Sequence, residues 1–287
     1  MKMRRVMEME KRIMLAALDM DGTLLNSDHE VTPYTRAVME HAVAQGRVLA
    51  LCTGRCLSEL RQYLNELPFV GYVIGQSGGW IYDVAGKKSI RQIVLEDSEV
   101  DAILTAAEGM DITWQVFIDN QSYMQFGRSR DWAHYHLSTF GGVFEATSLF
   151  IEDAPEKCRE NRGRVSKINL YFADDTECRL YGERIAGRPL AVTGALGPGY
   201  EISPLGVSKA QGLELLCEYL GLSMDQTMAV GDGGNDLDVM GAAGLAVAMG
   251  NAIEAVRDLA DVMTDDNDHD GVGHAIEKYM LNPEDCQ

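Results

Sequence analysis

An unbroken apolar run, Ile13-Met-Leu-Ala-Ala-Leu18, ends abruptly in Asp19-Met-Asp-Gly-Thr23. A strand that is apolar at every position is buried on both faces, which calls for a parallel sheet covered by helices on either side. The pattern recurs along the chain. Val48 to Cys52 runs into Thr53-Gly54-Arg55, and Tyr72 to Ile74 into a glycine-rich turn. Thr227 to Val230 runs into Gly231-Asp-Gly-Gly-Asn-Asp236, and Leu245 to Met249 and Val262-Met263 follow as further strands. Helical segments lie between them with their own punctuation. Thr32 is an N-cap, Pro33 takes the first helical position and Gly46 lies just past the end; Lys209 to Leu220 is stopped by Gly221, and Asn251 caps a later helix. Strand and helix in alternation predict an α/β fold, a three-layer core with a parallel sheet.

From about Tyr82 to Ser203 the character changes. Ile112 to Ile118 and Ser122 to Phe126 read as neighbouring strands around Asp119-Asn120, Val165 to Phe172 as another, with helical patterns such as Val100, Ile103, Leu104 and Ala107 about them. The expected organisation is a core formed by residues 1–83 and 203–287, with an α+β unit inserted at 84–202.

Charge narrows the partners. A formal net charge of −19 excludes duplex nucleic acid and an anionic membrane as main partners, because both demand a basic face. An anionic substrate would need cations supplied locally in its pocket. The opening segment, Met1 to Arg12, has no apolar stretch of the secretory kind, and the six cysteines contain no CxxC pair, so free thiols and a cytoplasmic location are expected.

Polar clusters at strand ends carry the chemistry, since ligands of open α/β sheets bind at the carboxyl edge. Asp19 and Asp21 offer two carboxylates, one able to attack or hold a metal while the other handles a proton; the competing reading is a simple turn. Thr53 and Gly54 offer a hydroxyl and backbone N–H groups to phosphate oxygens, against an ordinary helix cap. Asp232, Asn235 and Asp236 form an oxygen-only constellation suited to Mg²⁺. Lys209, which opens a helix after Gly206-Val-Ser208, is either a site cation or a solvated lysine.

In this order the four clusters resemble the haloacid dehalogenase superfamily: DMDGT at 19–23, Thr53, Lys209 and GDGGND at 231–236. Too few residues separate Thr23 from Thr53 to hold a domain, so the insertion falls between Thr53 and Lys209. That arrangement, with EISPLGVSK, GNAIEAV and DGVGHAIEK, is similar to the Cof-type branch with a type IIB cap. The resemblance implies a Rossmann-like core and a magnesium-dependent phosphatase acting on small phosphorylated metabolites, sugar phosphates or phosphorylated cofactors, as a monomer or homodimer. It implies Asp19 as nucleophile and Asp21 as acid and base. Mg²⁺ would be held by Asp19, the carbonyl of Asp21 and Asp232, with Asp236 orienting metal-bound water. Thr53, Lys209 and Asn235 would hold phosphoryl oxygens, and the cap would select the substrate.

The family's Asn-Gly-Ala-like segment reads Gly75-Gln-Ser-Gly-Gly-Trp80 here, with Ser77 at the Asn position, so Ser77 and Arg55 stand as candidate substrate contacts. His134 and His136 flank Tyr135 and read as residues of the insertion's surface or of helix packing rather than as metal ligands. Asp265 to Gly271 lacks the Glu of a calcium loop and reads as a polar loop near the site. The rival functions are a hexose phosphomutase of the same superfamily, a non-catalytic phosphate-binding module and a dehalogenase. The last would need neither Asp21 nor the 232–236 cluster.

Overall fold

The computed structural model describes residues 13–125 and 131–281. The expectations for Met1 to Arg12, Phe126 and Cys286 lie outside these residues. In chain order the strands are β1 (Leu15–Leu18), β2 (Val48–Cys52), β3 (Tyr72–Gly75), β4 (Trp80–Asp83), β5 (Lys88–Gln92), β6 (Ile112–Ile118), β7 (Gln121–Gln125), β8 (Ser148–Ile151), β9 (Val165–Phe172), β10 (Leu190–Gly194), β11 (Gly199–Pro204), β12 (Thr227–Gly231), β13 (Leu245–Ala248) and β14 (Val262–Met263). Within the described residues two compact units emerge: 13–54 with 63–91 and 208–281, and 55–62 with 92–125 and 131–207.

The first unit is an α/β fold around one eight-stranded sheet, ordered β14-β13-β12-β1-β2-β3-β4-β5. The strands from β14 to β3 are parallel, with Leu18 level with Val230 on one side and Leu51 on the other. β1 and β12 are buried at every residue, which is why their sequences show no alternation. The sheet is mixed rather than wholly parallel. β4 returns antiparallel to β3, because the short turn at Gln76–Gly78 cannot carry a parallel crossover, and β5 extends the same edge. In the division into compact units, nearly all of β5 lies with the first unit, and the long stretch of the second opens at Gln92.

Helix punctuation follows the sequence. The Thr32 hydroxyl accepts from the N–H of Thr35 above Pro33, and Gly221 closes Lys209–Leu220 in a left-handed cap. Asn251 is the exception. The helix Glu254–Leu259 is capped at Ile253, and Asn251 is used elsewhere.

The second unit is α+β, with a six-stranded sheet ordered β10-β11-β9-β6-β7-β8. Asp119 and Asn120 both have positive φ, the conformation that a two-residue hairpin between β6 and β7 requires. One face is apolar: Trp114, Val116, Ile168, Leu170 and Ile202 pack in one cluster with residues of the helices Asp97–Ala106 and Asp175–Ile185. Beside a smaller apolar cluster of Met124, Tyr135, Leu137, Phe144 and Tyr171, the other face carries a polar network centred on Gln115. Its Nε2 donates to Glu59 Oε1 and Ser122 Oγ, both at 2.9 Å, while its Oε1 accepts from Asn169 Nδ2 at 3.0 Å and the Tyr171 hydroxyl at 2.9 Å. His134 bonds Asp111 Oδ2 and His136 bonds the carbonyl of Ala173, and both lie exposed on the surface of this unit. Cys52, Cys56, Cys158 and Cys217 are buried free thiols. Among the described residues no helix is long and apolar enough to cross a membrane.

Candidate active site

Strand order reverses at β1: the chain steps outward from β1 to β3 on one side and from β12 to β14 on the other. That reversal opens the crevice where ligands of α/β sheets bind. Asp19, Thr53 and Asp232 each follow immediately on a parallel strand, so all three emerge at the carboxyl edge of neighbouring strands β1, β2 and β12.

Asp19 is tied to β12 by its N–H, which donates to the Val230 carbonyl at 3.1 Å, and its own carbonyl accepts from Leu24 at 3.2 Å. Its carboxylate is buried and meets the Lys209 ammonium at 2.5 Å. The same ammonium meets Asp236 Oδ1 at 2.6 Å. Lys209 is 2 % exposed, which excludes a solvated surface lysine. The other oxygen of Asp236 accepts from the backbone N–H groups of Asp232 and Gly233, at 3.1 and 3.0 Å. Asp236 thus folds the 231–236 loop upon itself and steers Lys209 toward Asp19.

Asp232 is half-buried, and its Oδ1 accepts from the Thr23 hydroxyl at 2.7 Å. Gly22, at φ +79°, lies so close that a Cβ there would sit 2.6 Å from Asp232 Oδ2. Thr53 is buried; its N–H donates to the Ile74 carbonyl at 2.8 Å, and its carbonyl accepts from Ser77 at 3.0 Å. Asp21 and Asn235 are exposed. Gly54 closes the first stretch of this unit, whereas Arg55 belongs to the second unit. Ser77 lies in the left-handed region, at φ 57°.

Burial, reinforced by Asp236 and opposed by Lys209, holds the Asp19 carboxyl above the ordinary carboxylate range. Burial raises Asp232 as well, against the Thr23 hydrogen bond that lowers it. Burial alone would lower Lys209, but Asp19 and Asp236 outweigh it, and the amine stays an ammonium well above its usual range. One cation therefore faces three carboxylates whose oxygens gather within 4.8 Å of one another: Asp19, Asp232 and Asp236. A hard, oxygen-only donor set with surplus negative charge, held open by a glycine where a Cβ would collide, fits Mg²⁺.

Two contributors escape the sequence reading. Thr23 belongs to the DMDGT run, but nothing in the sequence says that it braces Asp232. Asn251 donates from Nδ2 to the Gly22 carbonyl at 2.8 Å, pinning the turn behind the carboxylates. The 265–271 loop supports the same turn: Asn267 Nδ2 donates to the Leu25 carbonyl, and Asp268 accepts from Ser27 through both backbone and hydroxyl.

The sequence profile of haloacid dehalogenase-like hydrolases matches residues 16–276. The chain is 28 % identical over 269 residues to the 5-amino-6-(5-phospho-D-ribitylamino)uracil phosphatase of Bacillus subtilis, covering 94 % of this chain and 96 % of the relative. It is 29 % identical over 276 residues to the HMP-PP phosphatase of Serratia proteamaculans, with coverage of 94 % and 96 %. A solved haloacid dehalogenase-like hydrolase from B. subtilis superposes with a TM-score of 0.81 at 26 % identity, covering 93 % of this chain and all of that one.

Proposed function

The chain belongs to the haloacid dehalogenase-like hydrolases and is an enzyme of their phosphatase class, and from that premise we propose that it hydrolyses small phosphate monoesters through a phosphorylated Asp19. The observation that carries this reading is the convergence of Asp19, Lys209, Asp232 and Asp236 at one edge of the sheet.

The Asp19 carboxylate attacks phosphorus, and the bond from phosphorus to the ester oxygen breaks as the new one forms. Asp21, two residues on and exposed, gives its proton to the departing alkoxide. In the second half Asp21 takes a proton from water, the water oxygen attacks phosphorus, and Asp19 leaves as a carboxylate with inorganic phosphate released. Lys209, Thr53 and Asn235 hold the phosphoryl oxygens, and Gly54 contributes its backbone N–H. Positioning and charge neutralisation supply most of what phosphoryl transfer needs. Asp19, Asp232 and the carbonyl of Asp21 would hold Mg²⁺, with Asp236 beside them. The ion would supply Lewis-acid neutralisation of the phosphoryl charge.

The substrate is a small phosphorylated metabolite, in keeping with relatives named for a ribitylaminouracil phosphate and for HMP-PP. The insertion, 84–202 by composition, carries the side chains that choose among such esters, Arg55 and Ser77 being further candidates for contact with the alcohol. A panel of phosphorylated metabolites, assayed for phosphate release with and without Mg²⁺ and with Asp19→Asn as the blank, tests the reading. Release that needs both Mg²⁺ and Asp19 supports it, whereas full activity of Asp19→Asn overturns it. Isomerised sugar without released phosphate would favour the phosphomutase instead.

A further inference from the structure

Between β3 and β4 the backbone does something costly. Gln76, Ser77 and Gly78 all have positive φ, at 50°, 57° and 103°, and two of the three carry side chains. Left-handed backbone is costly for a residue that carries a Cβ, so such a turn persists only when its surroundings over-determine it. The surroundings are two of the proposed phosphate contacts. On one side the Ser77 N–H donates to the Thr53 carbonyl at 3.0 Å. On the other side Gly78 lies flat against the peptide that opens the helix Lys209–Leu220. A Cβ on Gly78 would stand 1.8 Å from the Ser208 carbonyl oxygen and 3.0 Å from the Lys209 nitrogen. One helical turn later Gly212 closes the same contact from the helix side. A Cβ there would stand 2.4 Å from Ile74 Cγ2 and 2.9 Å from Gly78 Cα. The Gly212 N–H donates to the same Ser208 carbonyl, at 3.0 Å.

We propose that the 76–78 turn is a bracket that sets the position of Lys209 relative to Thr53 and Asp19, with Gly78 and Gly212 as positioning residues that touch neither substrate nor metal. The proposal rests on the phosphatase reading. Thr53 and Lys209 lie far apart in sequence and on elements that are not neighbours in the sheet, so some part must fix their separation. The turn hydrogen-bonds one and abuts the other with no intervening side chain. Glycine at 78 and 212 lets the backbones meet; a methyl group at either position drives the start of the helix away from the turn, and with it the Lys209 stem. At 78 the obstruction is backbone. At 212 it is partly the Ile74 side chain, which can yield, so the displacement there is smaller.

The ammonium sits 2.5 and 2.6 Å from Asp19 and Asp236, and displacements approaching 1 Å in a catalytic constellation cost on the order of 10²-fold. Gly212→Ala should lower kcat on p-nitrophenyl phosphate with Mg²⁺ by roughly tenfold and Gly78→Ala by ~10²-fold, while Gly241→Ala, which meets nothing within 4 Å, should match wild type. The discriminating measurement is a double-mutant cycle. In a Lys209→Met background Gly212→Ala should bring no further loss, because the residue it positions is gone; a general structural defect would lower both backgrounds equally. Equal losses in both backgrounds, or a folded Gly212→Ala with wild-type kcat, overturn the proposal. Should wild type hydrolyse neither this ester nor any member of the metabolite panel, the phosphatase reading falls. The bracket is then tested alone by crystal structures of wild type and Gly212→Ala: a displaced Lys209 ammonium supports it, and an unmoved one refutes it.

Discussion

Replacing Lys209 by methionine keeps the stem and removes the charge, leaving Asp19 and Asp236 buried without their shared cation. Breaking a buried ion pair by deleting one partner costs about 3–5 kcal/mol. At roughly 2–4 °C per kcal/mol for chains of this size, the melting temperature without Mg²⁺ should fall on the order of 10 °C. The deficit should depend on pH in a definite direction. Asp19 is already held above its usual range by burial, and losing Lys209 raises it further. A raised acid contributes stability that is present below its unfolded value and lost as pH rises through the folded one, so the variant should be most impaired at pH 8 and least near pH 5. Lys209 itself, raised in the folded state, contributes throughout that range, since its contribution is lost only above the ordinary lysine value. Turnover should fall by ~10²-fold or more, the scale for losing one stabiliser of developing charge. Thermal melts at the two pH values, with phosphate release measured alongside, test both parts. A melting temperature within 2 °C of wild type together with turnover within about twofold would refute the account of Lys209.

Thr23→Val removes the hydrogen bond that orients Asp232 and should raise the Mg²⁺ concentration for half-maximal activity by about 10–100-fold, read from a metal titration; an unchanged titration would mean that Asp232 needs no brace. Gln115→Leu strips partners from Glu59, Ser122, Asn169 and Tyr171 at once and should destabilise the second unit by at least ~3 kcal/mol, visible as an early transition in urea; a single unshifted transition would contradict that. His269, bonded to Asp266 and raised above its ordinary range by that partner, should titrate above pH 6.5 by NMR and return there in Asp266→Asn, so its small contribution to stability is present below pH 6.5 and lost as pH rises through the folded midpoint.

What was legible in the sequence was whatever a single strand end or helix cap expresses locally. The DMDGT and GDGGND runs announced the carboxyl edge because a strand buried on both faces is apolar throughout, and a polar cluster at its end cannot then be core. Thr32, Pro33 and Gly221 announced helix ends for equally local reasons. Pairings across long separations were not legible. That Asp236 would divide its oxygens between Lys209 and its own loop, or that Asn251 would brace Gly22 rather than cap a helix, depends on which segments the sheet makes neighbours. The antiparallel edge β4-β5 went unread for a related reason: its direction is decided by a three-residue turn whose left-handed backbone no propensity of Gln or Ser foretells.

Cys52, the residue before Thr53, is buried, and burial pushes its thiol far up against the lowering effect of Lys209. Cys56 is likewise buried and raised. A thiol so protected yields almost no thiolate, the species that alkylating agents and peroxide attack. Neither thiol near the second motif is therefore a ready target for alkylation or peroxide. Labelling of these sites reports how often the fold opens, a clock that needs no engineered probe.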